Sequence, residues 1–453
     1  MRLPANIYSL LGALLLIAGC KLGPSYPEQV RTQFYANNLV AAEMLAAEGL
    51  QKDSSNRSTL LLEQAIVQLS SGQPKLAEQT LRKARDHFDD VENTLLKGGA
   101  ASYVSDDTHR TYAGEDYERV LIRAFLALSN MMHDGGDAEA YSLQLIDKQE
   151  QFIAAAQARQ KKPEPGQPVV PLEFSRVALA PYLRGIMREA THLNYDDAER
   201  SFVTVANWQP SFQPVRNDIE RAAHGAHSSP GHGVLYVFSM TGRGPMKFEA
   251  DEIGSTVGLL VAGGVAGAAT GQRVTPNIMP VKVPKLIAGD NIIEGVLVGI
   301  NGQALGQTAT ITDISALAIQ HYEAIYPEII TRAVSRRVVK KGTMYAAKSA
   351  TGGGNGNIVG LAWDAVGLVW EGTEDADLRC WSLLPDRIQV LRLELPVGEY
   401  DVQLQAKLRT AWGPAQPGRI ATQRVRIVDG QNTYMLGNFP DRELVGKLMV
   451  SQP

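Results

Sequence analysis

The hydrophobic pattern of this 453-residue chain changes near residue 225, and that change constrains the fold more than any other feature. Residues 34–224 place apolar side chains about every 3.6 positions, which predicts amphipathic helices. From residue 234 onward, short apolar runs alternate with turn residues, which predicts strands with some helix between them. We therefore expect a multidomain protein, with an all-α half followed by an α+β half whose strands are mostly antiparallel.

Within the helical half, small and apolar residues recur with a spacing that resembles tetratricopeptide repeats. The matching residues are Gly72, Ala77, Leu81 and Ala84 in one tract, and 193–202, Trp208 and Pro210 in a second. In such repeats, helix pairs of about 34 residues stack into a solenoid, and small residues let the paired helices approach closely. The resemblance implies a tetratricopeptide-like helical solenoid with Ala198 at a helix contact. A generic helical bundle is the alternative.

Turn residues predict the hairpins of the second half. Asn301-Gly302 separates two predicted strands, 292–300 and 303–311, and favours a type I′ turn, in which both central residues have positive φ. A second such turn is expected at Asp429-Gly430. We also predict an antiparallel meander over 388–436 and an earlier pair of strands, 234–238 and 246–250, joined through 242–245.

Helical spacing returns between these strands and predicts three helices. The first covers 313–326 with Asp313 as its N-cap, the second 328–348 and the third 357–370. Pro327 is expected to separate the first two, because proline lacks the amide hydrogen that a helix interior uses.

The first twenty residues predict a secretory signal followed by a lipid attachment site. Arg2 precedes a charge-free run, 3–19, that is too short to span a bilayer comfortably and ends in small residues. The junction 16–20, Leu-Ile-Ala-Gly-Cys, resembles the lipobox of bacterial lipoproteins, whose cysteine is acylated and becomes the first residue of the mature chain. The alternative is an ordinary signal peptide or membrane anchor with an unrelated Cys20. Lys21 stands where lipoproteins of the inner membrane often carry Asp, so this resemblance favours the outer membrane facing the periplasm.

These features divide the chain into five predicted segments. They are a signal peptide at 1–19, a tether at 20–33, the helical domain at 34–224, a linker at 225–233 and the α+β domain at 234–453. The net charge of −4 arises from 44 basic and 48 acidic residues that are evenly spread, which argues against a nucleic-acid binder. Lipidation of Cys20 would leave only Cys380, so we expect no intrachain disulfide.

Two further motifs carry a resemblance over most of the mature chain. They are Gly-Arg-Gly-Pro-Met-Lys at 242–247 and Asp-Leu-Arg-Cys-Trp-Ser-Leu-Leu-Pro at 377–385. Together with the lipobox and the helical half, they resemble a family of uncharacterised bacterial lipoproteins with a tetratricopeptide-like N-terminal half. In that family, a small polar residue usually stands at the place of Cys380. The resemblance implies the two-part architecture and brings no activity.

Three groups of residues suggest chemistry, and each also has a structural interpretation. The spacing of His224, His227 and His232 suits one zinc or copper ion, but no carboxylate or cysteine lies among them, so a solvated interdomain loop is favoured. Cys380 is either a nucleophile or, as we favour, a buried structural thiol. The glycine-rich 352–357 lacks the Lys-Ser/Thr of a phosphate-binding loop, so a flexible loop is favoured there.

Two segments suggest contact with a membrane. Arg332, Arg336 and Lys340 recur every four residues and predict a basic stripe, which can bind anionic lipid or, as we favour, form the solvated face of an amphipathic helix. The uncharged segment 253–272 spaces three glycines four residues apart, as helices packed within a bilayer do. Its many glycines make it weakly hydrophobic, so a loop or a packed helix is favoured over insertion.

The sequence favours a binding protein over an enzyme. No nucleophile-base set, cofactor motif or metal shell is recognised, so we expect no catalytic residue, cofactor or metal. A lipidated Cys20 and a repeat-like surface instead predict an interaction scaffold in the bacterial cell envelope, held on a membrane and bound to a protein partner. The alternatives are an assembly or secretion lipoprotein that inserts 253–272 into a membrane and, less favoured, an envelope hydrolase.

Overall fold

A computed structural model describes residues 23–98, 111–159, 175–252, 281–350, 376–409 and 417–451. Several predicted features lie outside these residues: the signal peptide 1–19, Cys20, the uncharged segment 253–272, the glycine-rich 352–357 and the helix predicted at 357–370.

The part of the chain described before the first strand is helical, as predicted. Its helices are α1 Tyr26–Tyr35, α2 Leu39–Lys52, α3 Arg57–Ser70, α4 Pro74–Gly98, α5 Asp116–Met131, α6 Ala138–Arg159, α7 Leu179–Glu189, α8 Tyr195–Trp208 and α9 Val215–Ala223. Each helix packs against the next one along the chain. Helix α1 starts within the predicted tether 20–33 and buries Val30 and Phe34. The body therefore begins a few residues after the proposed lipidation site.

Local capping explains where several helices begin. Ser25 and Glu28 form a capping box at the start of α1, and Glu115 and Glu118 form another at the start of α5. Asn38 accepts a hydrogen bond from the Ala41 amide at 3.4 Å. These side chains bind amide hydrogens that have no partner within the first turn of a helix.

Most strands belong to two sheets, and a two-stranded ribbon completes the set described. The strands are β1 His232–Thr241, β2 Met246–Glu252, β3 Val281–Ile287, β4 Ile293–Ile300, β5 Gln303–Gln307, β6 Ala309–Asp313, β7 Arg387–Pro396, β8 Gly398–Leu408, β9 Ala421–Ile427, β10 Asn432–Phe439 and β11 Met449–Val450. One sheet has the order β11-β10-β1-β7-β6, the other β5-β4-β8-β9, and β2 pairs with β3. Among these pairs, only β1–β10 is parallel, so the mostly antiparallel prediction holds.

The five-stranded sheet is the middle of three layers. On β1, Tyr236 and Phe238 join the core formed with the helices. Leu235 and Val237 point the other way and pack against the four-stranded sheet. Burial on both faces explains why β1 is a continuous apolar run rather than an alternating strand. The helical part and the sheet-containing part thus share one continuous core.

Some predicted strand partners are wrong, although the strands themselves form. Strand β1 does not pair with β2, and the predicted meander is broken because β7 and β8 lie in different sheets. The type I′ turn predicted at Asp429-Gly430 is also wrong, because Gly430 has a positive φ of 66° whereas Asp429 does not, and the turn connects strands of different sheets. Alternating hydrophobicity specifies which face of a strand is buried and leaves its neighbour undetermined.

Two locally encoded features are confirmed. Asn301 and Gly302 have φ angles of 52° and 79°, and they connect the antiparallel strands β4 and β5. Asp313 accepts a hydrogen bond from the Ala316 amide at 2.9 Å and so caps the following helix.

That helix, α10 Ile314–Ala350, continues through Pro327, where two separate helices were predicted. Beyond the proline, Ile329, Ala333 and Val334 pack against Val281 and Val283 of β3. Since proline removes one backbone hydrogen bond, this apolar contact explains how a single helix persists.

Gly185 and Phe202 lie at a close contact between α7 and α8. A Cβ atom at Gly185 would lie 2.5 Å from Cε1 of Phe202, whose ring is fully buried. Ala198, the small residue predicted at a helix contact, is also completely buried in α8. The pair therefore packs too closely for a larger side chain at position 185.

We predict that Gly185→Ala destabilises the protein by about 1–3 kcal/mol, because the added methyl group must displace a buried ring. Gly136→Ala is the matched control, since a Cβ atom there would meet only the Asp134 carboxylate at 3.8 Å. Urea unfolding of both variants measures the difference. Equal midpoints for the two variants would contradict this packing.

Candidate functional site

Three completely buried glutamates connect the helices to the rest of the molecule. They are Glu63 on α3, Glu118 on α5 and Glu189 on α7, which are alternate helices of the row. A carboxylate is costly to bury unless hydrogen-bond donors surround it. The donors to Glu63 and Glu118 come largely from the motif at 377–385, whereas those to Glu189 come from α9 and β1.

Glu63 holds Ser382 through two hydrogen bonds. One oxygen, Oε1, accepts from the Ser382 amide at 2.7 Å and from the Ser382 hydroxyl at 2.8 Å. Burial raises the pKa of Glu63 to about 7, although the donors of Ser382 lower it. From α1, the Tyr35 hydroxyl donates to the carbonyl oxygen of Ser382 at 3.3 Å. Two helices thus fix the backbone of this residue.

Glu118 holds the adjacent residue, Trp381. Its Oε1 accepts from the Trp381 amide at 2.6 Å, and its Oε2 accepts from the Tyr112 hydroxyl at 2.7 Å and the Glu115 amide at 3.0 Å. Burial raises the pKa of Glu118. The Trp381 ring is fully buried, with its centroid 5.2 Å from that of Phe125 on α5. Two consecutive residues of the motif are therefore bound by α3 and α5.

The two sequence motifs meet at this interface. The Gly244 amide donates to the Leu384 carbonyl at 2.7 Å, and the Asp386 amide donates to the Gly242 carbonyl at 3.3 Å. A Cβ atom at position 244 would lie 2.5 Å from the Leu384 oxygen, so this approach requires glycine. The two sequence motifs are thus two halves of one contact.

Charged side chains of both motifs are paired within the chain. Lys247 forms a buried ion pair with Glu115 at the start of α5. Burial lowers the pKa of Lys247, but Glu115 and Asp377 raise it, and the net pKa lies above the ordinary value. Arg379 binds both oxygens of Asp377 at 2.8 Å and donates to the Ser55 carbonyl at 2.9 Å.

Arg243 extends in another direction from the same interface. Its guanidinium group lies 4.1 Å from the centre of the Tyr35 ring. The same group pairs with Asp441 at 2.6 Å. It thereby connects α1 to the segment that follows β10.

The third buried glutamate anchors β1. Arg221 on α9 donates to both oxygens of Glu189, at 2.5 and 3.0 Å, and also pairs with Asp218 at 2.8 Å. The Tyr236 hydroxyl of β1 donates to Glu189 at 3.4 Å. Burial raises the pKa of Glu189, whereas Arg221 lowers it. This cluster attaches the other end of the helical row to the sheet.

The three histidines near residue 225 have different environments. His224 is exposed at the end of α9, and His232 begins β1. His227 is buried, with Nε2 2.8 Å from Oδ1 of Asn432, so the predicted solvated loop is wrong at this residue. In the part of the chain that the structure describes, no three His, Cys, Asp or Glu side chains are arranged to hold a metal ion.

The remaining candidates are simpler. Cys380 is buried, as predicted, and burial raises its pKa to about 12, so its thiol is protonated at neutral pH. Arg332 pairs with Glu328 at 3.0 Å, while the side chains of Arg336 and Lys340 are not among those that the structure describes.

Sequence reasoning missed Glu63 and Glu118. For Glu63 the available signal was its place among the apolar residues 60–62, 65 and 66 of one helix, whereas Glu118 lies beside Asp116 and Arg119 and has no such signal.

Comparisons with known protein families, curated proteins and solved structures give no match to this chain. Among the helices within the described ranges, none is both long and apolar enough to cross a membrane.

We predict that Glu63 makes the protein less stable as the pH rises. The folded state binds this proton more tightly than the unfolded chain does, because the pKa is about 7 rather than 4.5. The contribution is therefore most favourable below the unfolded pKa of 4.5 and is lost as the pH rises through 7. Between about pH 5 and about pH 8 the loss amounts to about 2–3 kcal/mol.

Glu63→Gln cannot ionise but keeps an oxygen that accepts from Ser382. Urea unfolding of the wild-type protein and this variant across the pH range isolates the effect of one carboxyl group. The variant should lack the decline that the wild-type protein shows. The same pH dependence in both proteins would show that Glu63 is not the group responsible.

Proposed function

We propose that this protein is a lipid-anchored scaffold of the bacterial cell envelope that presents a rigid surface to a protein partner. The observation that carries the proposal is that the two motifs bind each other and the buried glutamates of the helices. These hydrogen bonds join the helical part and the sheet-containing part into one body. The lipobox at 16–20 supplies the membrane anchor in this proposal.

The pairing of neighbouring helices supports a tetratricopeptide-like solenoid. Both tracts that match the repeat spacing form such pairs, α3–α4 and α7–α8, and their small residues Ala77, Ala84 and Ala198 are buried. In such a solenoid, the concave face commonly binds the partner. Here α3, α5 and α7, which we call the inner helices, carry the buried glutamates, and these side chains contact the chain's own sheet and motifs. We call the helices that alternate with them, α2, α4, α6 and α8, the outer helices. The partner is therefore proposed to bind the outer helices.

Helix α2 offers the most exposed apolar surface on this outer side. Val40 is 74% exposed and Met44 is 67% exposed, and the two lie one turn apart on the helix. A partner with a shallow apolar groove would cover both side chains. This pair is the proposed centre of the protein contact.

We predict that a photo-crosslinking amino acid at Val40 or Met44 captures one specific protein in living cells. Thr422, exposed on β9 of the four-stranded sheet, is the control position and should give no such product. The double variant Val40→Ser, Met44→Gln should lose the partner while folding normally, because both side chains lie in solvent. A double variant that retains the same partner would argue against this surface.

We predict that Cys20→Ser abolishes acylation and releases the protein from membranes, since no other acylation site is proposed. Labelling cells with a fatty-acid analogue, followed by membrane fractionation, measures both effects. Cys380→Ser is the control because its buried thiol should not be acylated. Continued lipid labelling of the Cys20→Ser protein would contradict the anchor.

A second function, insertion of 253–272 into a membrane, is favoured by the geometry of the ribbon. Glu252 and Val281 are opposite each other in the pairing of β2 with β3, so the segment between them starts and ends at one place. A segment attached in this way can engage another surface while the body stays folded.

Replacing 253–280 with a short Gly-Ser turn should leave the unfolding midpoint unchanged, since the strand pairing is retained. A cellular defect in this variant, together with normal crosslinking at Val40, would favour insertion over the scaffold.

A further inference from the structure

The distance between the proposed lipidation site and the folded body limits where the membrane can lie. Cys20 is followed by only four residues before Ser25, which caps α1. Five extended residues span at most about 18 Å. If Cys20 carries the acyl chains, the end of the molecule where α1 begins therefore lies close to the bilayer. This step rests on the proposed function.

Hydrogen bonds define which other residues belong to that end. The Tyr26 hydroxyl, in the first turn of α1, donates to Glu48 near the end of α2 at 3.0 Å. Helix α2 then leads into the turn 53–56, where the Ser55 carbonyl accepts from Arg379 at 2.9 Å. The start of α1, this turn and Arg379 thus lie at one end of the molecule.

The same end includes the segment 376–379, which contacts strand β2. The Ala376 amide donates to the Glu249 carboxylate of β2 at 3.5 Å, and Asp377 faces Arg379. Leu378, an apolar side chain on this segment, is 40% exposed. The nearby charges of Arg379 and Asp377 are paired, as are those of Lys52 and Glu48.

We propose that this end of the molecule, formed by the start of α1, the turn 53–56 and Asp377–Arg379, rests on the lipid bilayer. Leu378 contacts the boundary between headgroups and acyl chains, where a partly exposed apolar side chain is favoured. Paired charges suit the polar headgroup region because they carry no net charge there. The short tether and this surface together orient the body on the membrane.

The length of α3 shows how far the opposite end of the helices lies from the proposed membrane surface. It runs from the turn 53–56 to the turn at 71–73, and a helix of its length extends about 20 Å. Gln73 is exposed in that second turn. A probe at Gln73 therefore reports a position well away from the proposed membrane surface.

Site-specific fluorescence measures these depths on the full acylated protein. Single cysteines replace Ser54, Leu378 or Gln73 and are labelled with the fluorophore NBD. In the acylated protein Cys20 is blocked, and the buried Cys380 has a protonated thiol. The protein is reconstituted in vesicles of equal parts phosphatidylethanolamine and phosphatidylglycerol that contain a lipid with a nitroxide at the headgroup.

Quenching should be several-fold stronger at Leu378 and Ser54 than at Gln73. Equal quenching at all three positions, in protein that floats with the vesicles, would overturn the orientation and leave the anchor intact. Protein that fails to float would contradict the proposed anchor, and the orientation would fall with it.

Discussion

The burial of two carboxylates against the backbone of one short segment holds the helices and the sheet together. Glu63 and Glu118 accept hydrogen bonds from Ser382 and Trp381, residues that are consecutive in the chain. A buried carboxylate without donors costs several kcal/mol, and a buried amide without an acceptor is also penalised. The Ser382 amide donates to one oxygen of Glu63 and the Trp381 amide to one oxygen of Glu118, so removing either glutamate leaves a buried amide of the motif without its acceptor. The helical half and the motif at 377–385 therefore depend on each other.

This contact explains the arrangement of the proposed surfaces. Because the sheet and the motifs cover the inner helices, the outer helices remain for a protein partner. Val40 and Met44 lie toward the start of α2, whereas Glu48 near its end contacts Tyr26 beside the proposed anchor. In the proposed orientation, the bilayer contacts one end of α2, and the partner contacts the helix nearer its other end.

Sequence patterns predicted the features that depend on neighbouring residues. The Asn301-Gly302 turn and the Asp313 cap follow from local backbone chemistry, and both form as expected. Pro327 misled the prediction because the contact that keeps α10 helical comes from β3, which lies far away in sequence. The pairing of β1 with β10 was equally invisible to a local pattern. Both motifs of the site were recognised, but Glu63 lies 319 residues from Ser382, and nothing local identifies that partner.

Native-state hydrogen exchange at Trp381 and Ser382 tests the central claim most directly. If Glu63 and Glu118 join the two halves into one body, these amides should open only when α3 and α5 unfold, and they should exchange as slowly as the most protected amides of those helices. Rapid exchange at Trp381 and Ser382, while α3 and α5 stay protected, would contradict the account by showing that the motif detaches independently of the helices.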